Sequence, residues 1–145
     1  MKGVVSMCTF SPTPVPLVYT CAGASNLAQL ANDIGLWLHQ QGYAQMSAIA
    51  GVAGQTTDHL EALYSGRKVI AIDGCHRQCV RRCLTLQQTQ ADWHVQLDKH
   101  VQVQHRDGSC SLHDTFKAMR VVGETLGVAV DEHFADHLQA PLKSP

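Results

Sequence analysis

Four cysteines carry the chemistry available to this sequence. Cys75, Cys79 and Cys83 follow one another at four-residue intervals in VIAIDGCHRQCVRRC, at the end of an apolar run, and Cys21 closes a shorter run, LVYTC. Thiolate is the form of cysteine that ligates metals and attacks electrophiles, and a thiol beside a helix N-terminus ionises more readily. Thiols grouped at strand ends therefore hold a metal, act as nucleophiles or redox groups, or pack as small apolar side chains. A disulfide framework is a poor fit. A chain of 145 residues with 45% hydrophobic content buries a core without staples.

The thiols meet only if the chain brings their turns together. LVYTC reads as a short buried strand, AGASN as a turn in which Ser25 or Asn26 caps a helix, and LAQLANDIGLWLHQQG as that helix, stopped by Gly42. MSAIAGVAG reads as a second strand of small residues, QTTDHLEALYSG as a short helix closed by Gly66, and KVIAIDGC as a third strand. A helix from Cys75 to about Gln90, a fourth strand in DWHVQLDKHVQV and a last helix in SLHDTFKAMRVVGETLG follow. Continuous apolar strands alternating with helices predict a single-domain three-layer α/β fold with an open, mostly parallel sheet of about four strands, Rossmann-like or flavodoxin-like. The expected layout is an N-terminal extension over residues 1–14, a cysteine-rich domain over 15–130 and a polar tail over 131–145.

In such sheets functional groups gather outside the carboxyl ends of the strands, at the point where neighbours of the first strand are built in opposite directions. Adjacent first and third strands put Cys21 and Cys75 in one crevice, and Cys79 joins them from the following turn. Three convergent thiols suit zinc, with Zn–S bonds of about 2.3 Å and four ligands in a closed site. An iron–sulfur cluster accepts the same donors. Cys83 is the fourth candidate. Eight residues of regular helix would put it about 12 Å along the axis from Cys75, so it reaches the others only if residues 75–79 form a loop. Otherwise it is a packing residue and the fourth position is open.

TCAGASNLAQLA, followed some way on by IAIDGCHRQCVRRCL, resembles the DGC-domain family, named for the motif seen here as Asp73-Gly74-Cys75. The resemblance runs from Val15 to Leu86. The Gln- and His-rich stretch beyond it, QQTQADWHVQLDKHVQVQH, fits no pattern. It implies zinc binding through four cysteines, matched here by Cys21, Cys75, Cys79 and Cys83, and no established activity.

A thiol enzyme is the rival reading, with Cys75 or Cys79 in sulfur transfer or redox chemistry. CHRQCVR also has the C-x5-R spacing of a cysteine phosphatase, with Cys75 as nucleophile and Arg81 as clamp. Its five intervening residues contain no Gly, which is unfavourable for close backbone approach to an anion. Other features read as ordinary. Cys8 and Cys110 are incidental, His105, Cys110 and His113 are surface residues, His133 and His137 lie on an amphipathic terminal helix, and Arg81 and Arg82 on a solvated face. Asp73 caps the turn or orients a ligand. A formal net charge of −1 gives no field for nucleic acid or an anionic membrane. SPTPVP interrupts the N-terminus before an apolar stretch of signal length, so the expected setting is the cytoplasm, with a metal ion as the partner.

Overall fold

The computed structural model of the protein describes residues 14–128. Cys8, His133, His137, the tail over 131–145 and all of the N-terminal extension but residue 14 lie outside the described residues. Four strands, β1 (Leu17–Thr20), β2 (Gln45–Met46), β3 (Val69–Asp73) and β4 (Trp93–Gln96), form one all-parallel sheet in the order β2-β1-β3-β4. Every residue of β1 and β3 is buried, as the unbroken apolar runs LVYT and VIAI require of strands covered on both faces. Leu17 stands opposite Val69 and Thr20 opposite Ile72. The Cys21 N–H donates to Ile72 O at 3.1 Å, so the ladder runs one residue past β1 and fixes the backbone of Cys21.

Helix α1 (Asn26–Gln40) begins at Ser25, whose Oγ accepts from the Ala28 N–H at 3.2 Å. Its buried stripe of Leu27, Leu30, Ala31, Ile34 and Leu38 lies on the sheet. At Gly35 a Cβ would stand 2.4 Å from Thr20 Cγ2, so the glycine lets the helix pass close over the end of β1. On this side α1 also packs against the last helix, α6 (Leu112–Leu126), which Ser111 caps and Gly127, at φ +70°, ends.

Three expectations need correction. MSAIAGVAG contributes only Met46 to a strand, at the end of β2, and continues as helix α2 (Ile49–Ala53) packed on α3 (Thr57–Leu63). Its small residues serve that helix contact, since a Cβ on Gly51 would fall 2.3 Å from the His59 ring. The helix expected from Cys75 to about Gln90 is α4 (Cys79–Leu86), preceded by Gln78 in the left-handed conformation and followed by Gln88, also at positive φ. The fourth strand ends at Gln96 and turns into a short helix, α5 (Leu97–His100), where His100 Nδ1 accepts from the Gln96 N–H at 2.9 Å. Among the described residues no helix is long and apolar enough to cross a membrane.

Candidate functional site

Because β1 and β3 are neighbours, their ends open side by side. The Gly74 N–H donates to Cys21 Sγ at 3.2 Å, tying the first cysteine to the Asp73-Gly74-Cys75 turn. Gly74 is needed there for space: an added Cβ would lie 2.8 Å from Leu27 C and 2.9 Å from Leu27 O, and backbone does not yield as a flexible side chain does. Cys75 follows, half-buried, and Cys79 is the exposed first residue of α4.

These thiols lie within electrostatic reach of one another. Burial pushes the Cys21 thiol up to about 11; the Gly74 N–H opposes this, while negative charge on Asp73, Cys79 and Cys75 raises it further. Cys83 is half-buried and is also raised, first by burial and then by Cys79 and Asp73. Cys21, Cys75 and Cys79 thus form one electrostatic neighbourhood, and Cys83 extends it from Cys79 by one turn of α4. Among the described residues no three His, Cys, Asp or Glu side chains are closed into a metal-holding group. The donor set nonetheless fits a soft divalent cation. Ionising Cys21 alone in this buried place is costly, and a positive ion among three thiolates would supply the compensating charge.

The segment from Cys75 to Gln78 is a loop, as ligation by Cys83 requires. The Gln78 N–H donates to Cys75 O at 3.0 Å, closing a turn, and residues beyond β4 brace it from outside. The His76 N–H donates to Asp98 Oδ2 at 2.9 Å, the Asp98 N–H to Gly74 O at 3.1 Å, Gln78 Nε2 to Gln96 Oε1 at 2.7 Å, and Gln96 Nε2 to Asp98 Oδ1 at 2.7 Å. Gln96 and Asp98 were missed by sequence reasoning, which treated DWHVQLDKH as one long strand. The signal that could have found them is the rule that picked out Cys21 and Cys75: polar residues at the carboxyl end of a parallel strand.

Asp73 organises the helix that carries Cys79 and Cys83. Its carboxylate is fully buried and accepts from the Val80 N–H at 2.8 Å, the Arg81 N–H at 3.2 Å and His94 Nε2 at 2.9 Å. It therefore caps α4 from across the loop, which explains why the helix starts at Cys79. The same bonds weigh against the C-x5-R phosphatase. Two backbone donors that would cradle a phosphate are already held by a carboxylate, whose charge would repel one. Cys110 donates to Asn26 O at 3.4 Å.

The four parallel strands, the Asp73-Gly74-Cys75 turn and the four cysteines around it all fall within one family match. The family model for the DGC domain matches residues 17–122, and the chain belongs to that family. The match extends well past Leu86 and takes in His94, Gln96 and Asp98. Among characterised proteins, the chain is 45% identical over 87 residues to the anaerobic and virulence modulator AnvM of Pseudomonas aeruginosa, a stretch that is 60% of this chain and 66% of the relative. The chain thus covers just under two thirds of that protein's length. No solved structure matches.

Proposed function

We propose that this DGC-domain protein binds one zinc ion through the thiolates of Cys21, Cys75 and Cys79, with Cys83 as the fourth ligand. The observation that supports this most is that the Cys21 and Cys75 turns leave neighbouring parallel strands, with the Gly74 N–H on Cys21 Sγ and with Cys75 and Cys79 near enough to raise the Cys21 thiol. Because α4 begins at Cys79, Cys83 stands one turn, about 6 Å along the axis, from Cys79, and Cys75 lies in the loop instead of two helical turns away from Cys83. Zinc would supply positive charge to hold the thiolates together and would tie the loop to β1. The Asp98 and Gln96 bonds would orient that loop. Its relative is named a modulator, which favours a regulatory use of the site over turnover. Reduced thiols of this kind suit the cytoplasm.

Thiol chemistry at Cys79 is the second reading, favoured by the exposure of that side chain at the first position of α4. Metal analysis of the anaerobically purified full chain separates the two. About one zinc per chain is expected, lost in Cys21→Ser and in Cys75→Ser and kept in Cys110→Ser. Full metal retention in Cys21→Ser overturns the shared site. Visible absorbance with bound iron replaces zinc by an iron–sulfur cluster. Rapid alkylation of Cys79 in metal-free protein as purified supports the thiol reading.

A further inference from the structure

At the carboxyl ends of β1 and β2, beside α1, lies a cleft of about 480 Å³ lined by Thr20, Asn32, His39, Met46, Ser47 and Ile49 among others. Open parallel sheets take small ligands at the carboxyl ends of their strands. This cleft is on the β2 side of β1, whereas Cys21 Sγ accepts from Gly74 on the β3 side, so it is separate from the cysteine site. Thr20 is the most buried of its polar residues, 6% exposed. A Cβ on Gly35 would stand 2.4 Å from Thr20 Cγ2 and 3.4 Å from Met46 Cε, so α1 presses both methyl groups into place. A β-branched side chain wedged in this way keeps one rotamer. Its hydroxyl makes no hydrogen bond among the described residues. Of the sealed side-chain N and O atoms among those residues, only the Tyr19 hydroxyl lacks a partner, so the unbonded Thr20 oxygen opens onto the cleft.

Packing does not explain that hydroxyl. A strand position pressed under a helix suits valine equally well, and a nearly buried polar group without a protein partner calls for another account. The rest of the wall says what could bond it. His39 is pinned there, its Nδ1 accepting from the Met46 N–H at 3.3 Å. The Asn32 carboxamide is exposed and makes no hydrogen bond among the described residues. No lining residue is Asp, Glu, Lys or Arg, and Met46, Ile49 and three alanines supply apolar surface. We propose that this cleft binds a small uncharged carbonyl compound, of the class of short-chain amides and ketones. The carbonyl oxygen accepts from the Thr20 hydroxyl, the Asn32 carboxamide bonds the same polar end, and the apolar chain lies on Met46 and Ile49. A charged head group would lose water there without gaining a counter-charge.

The test is an NMR titration of the uniformly labelled full chain with isovaleramide, and separately with isovalerate and isoamylamine, which carry the same branched chain on an anionic and a cationic head. Isovaleramide should move the backbone amide signals of Ala22, Ser47 and Ile49 saturably. The two charged compounds should bind at least about tenfold more weakly. Thr20→Val removes the hydroxyl and keeps the shape, and should weaken isovaleramide about fivefold, the worth of one hydrogen bond. Its urea midpoint should equal or exceed that of the unaltered chain, because no protein bond is lost. Asn32→Ala, at an exposed position where folding is not at stake, should weaken binding by a similar factor. Shifts that stay linear or spread beyond the cleft, or equal responses to the three compounds, would overturn the site. So would undiminished binding in Thr20→Val and Asn32→Ala, or a lowered urea midpoint in Thr20→Val, which would make the hydroxyl a structural group.

Discussion

The two ends of this sheet use their polar residues in opposite ways. At the amino ends, Arg67 donates to Val15 O at 2.6 and 2.9 Å and to Gln45 Oε1 at 2.8 Å. Lys68 Nζ reaches Asp92 Oδ1 at 2.9 Å, and Asp92 Oδ2 accepts from the Val69 N–H at 2.8 Å. These groups tie the starts of neighbouring strands together, in exposed or half-exposed positions. At the carboxyl ends the Asp73, Gln96 and Asp98 side chains are committed to hydrogen bonds that hold the Cys75 loop and the start of α4. The thiols of Cys75, Cys79 and Cys83 and the Nδ1 of His94 make no hydrogen bond among the described residues. One end therefore holds the sheet's register, and the other leaves thiols unbonded on a loop that Gln96 and Asp98 brace and a helix start that the buried Asp73 carboxylate caps.

If that division is right, removing charge at the carboxyl end should cost far more than removing it at the amino end. Asp73→Asn keeps the shape but turns an amide NH2 toward one or more of three donors. It should cost about 3 kcal/mol in urea unfolding, as expected when a buried, fully bonded charge is removed. It should also loosen the start of α4 and with it the placement of Cys79. A loss below about 1 kcal/mol would make Asp73 no different from a surface carboxylate and erase the contrast.

A smaller effect is expected one residue on. In Gly74→Ala the new methyl meets the Leu27 backbone, so the turn or α1 must shift. A cost of about 2 kcal/mol follows from overpacking at a site that cannot relax freely. The shift would pull the Gly74 N–H off Cys21 Sγ, so metal content should fall with stability. Unchanged stability with full metal content would show that the close approach at Gly74 does not position the thiols.

How much of this was legible beforehand follows the same division. The buried strands LVYT and VIAID and the Ser25 cap announced themselves, because local propensity and tertiary burial agreed there. The adjacency of β1 and β3 followed from the general topology of parallel sheets and brought Cys21 to Cys75. What escaped were contacts fixed by tertiary structure alone. The small residues of IAGVA match a strand and a tight helix contact equally well, and only the His59 ring against Gly51 decides between them. The start of α4 at Cys79 depends on a carboxylate six residues earlier, an interaction without a local signature. His94, Gln96 and Asp98 were hidden inside a stretch read as one strand, although together they hold the Cys75 loop and the Asp73 carboxylate.

The smallest effect should come from the amino end. The Asp92 carboxyl is held below its ordinary value of 3.8, first by the hydrogen bond from Lys68, then by the Val69 N–H and the Lys68 charge. A carboxyl with a lowered folded-state pKa contributes stability that is fully present above the unfolded value near 3.8 and is lost as pH falls through the folded one. Asp92→Asn should therefore lower stability at neutral pH by about 1 kcal/mol or less, since an exposed pair is screened by solvent and salt. As pH falls below the folded-state value, its unfolding midpoint should converge on that of the unaltered chain, because the carboxyl is then protonated in both states. Added salt should narrow the difference at neutral pH through screening of the Lys68 contact. Urea midpoints for both proteins across the acid range provide the measurement. A difference that persists undiminished in acid would show that Asp92 holds the strand starts by shape and neutral hydrogen bonding, and the amino end would then share the packing-dependent character assigned here to Gly74.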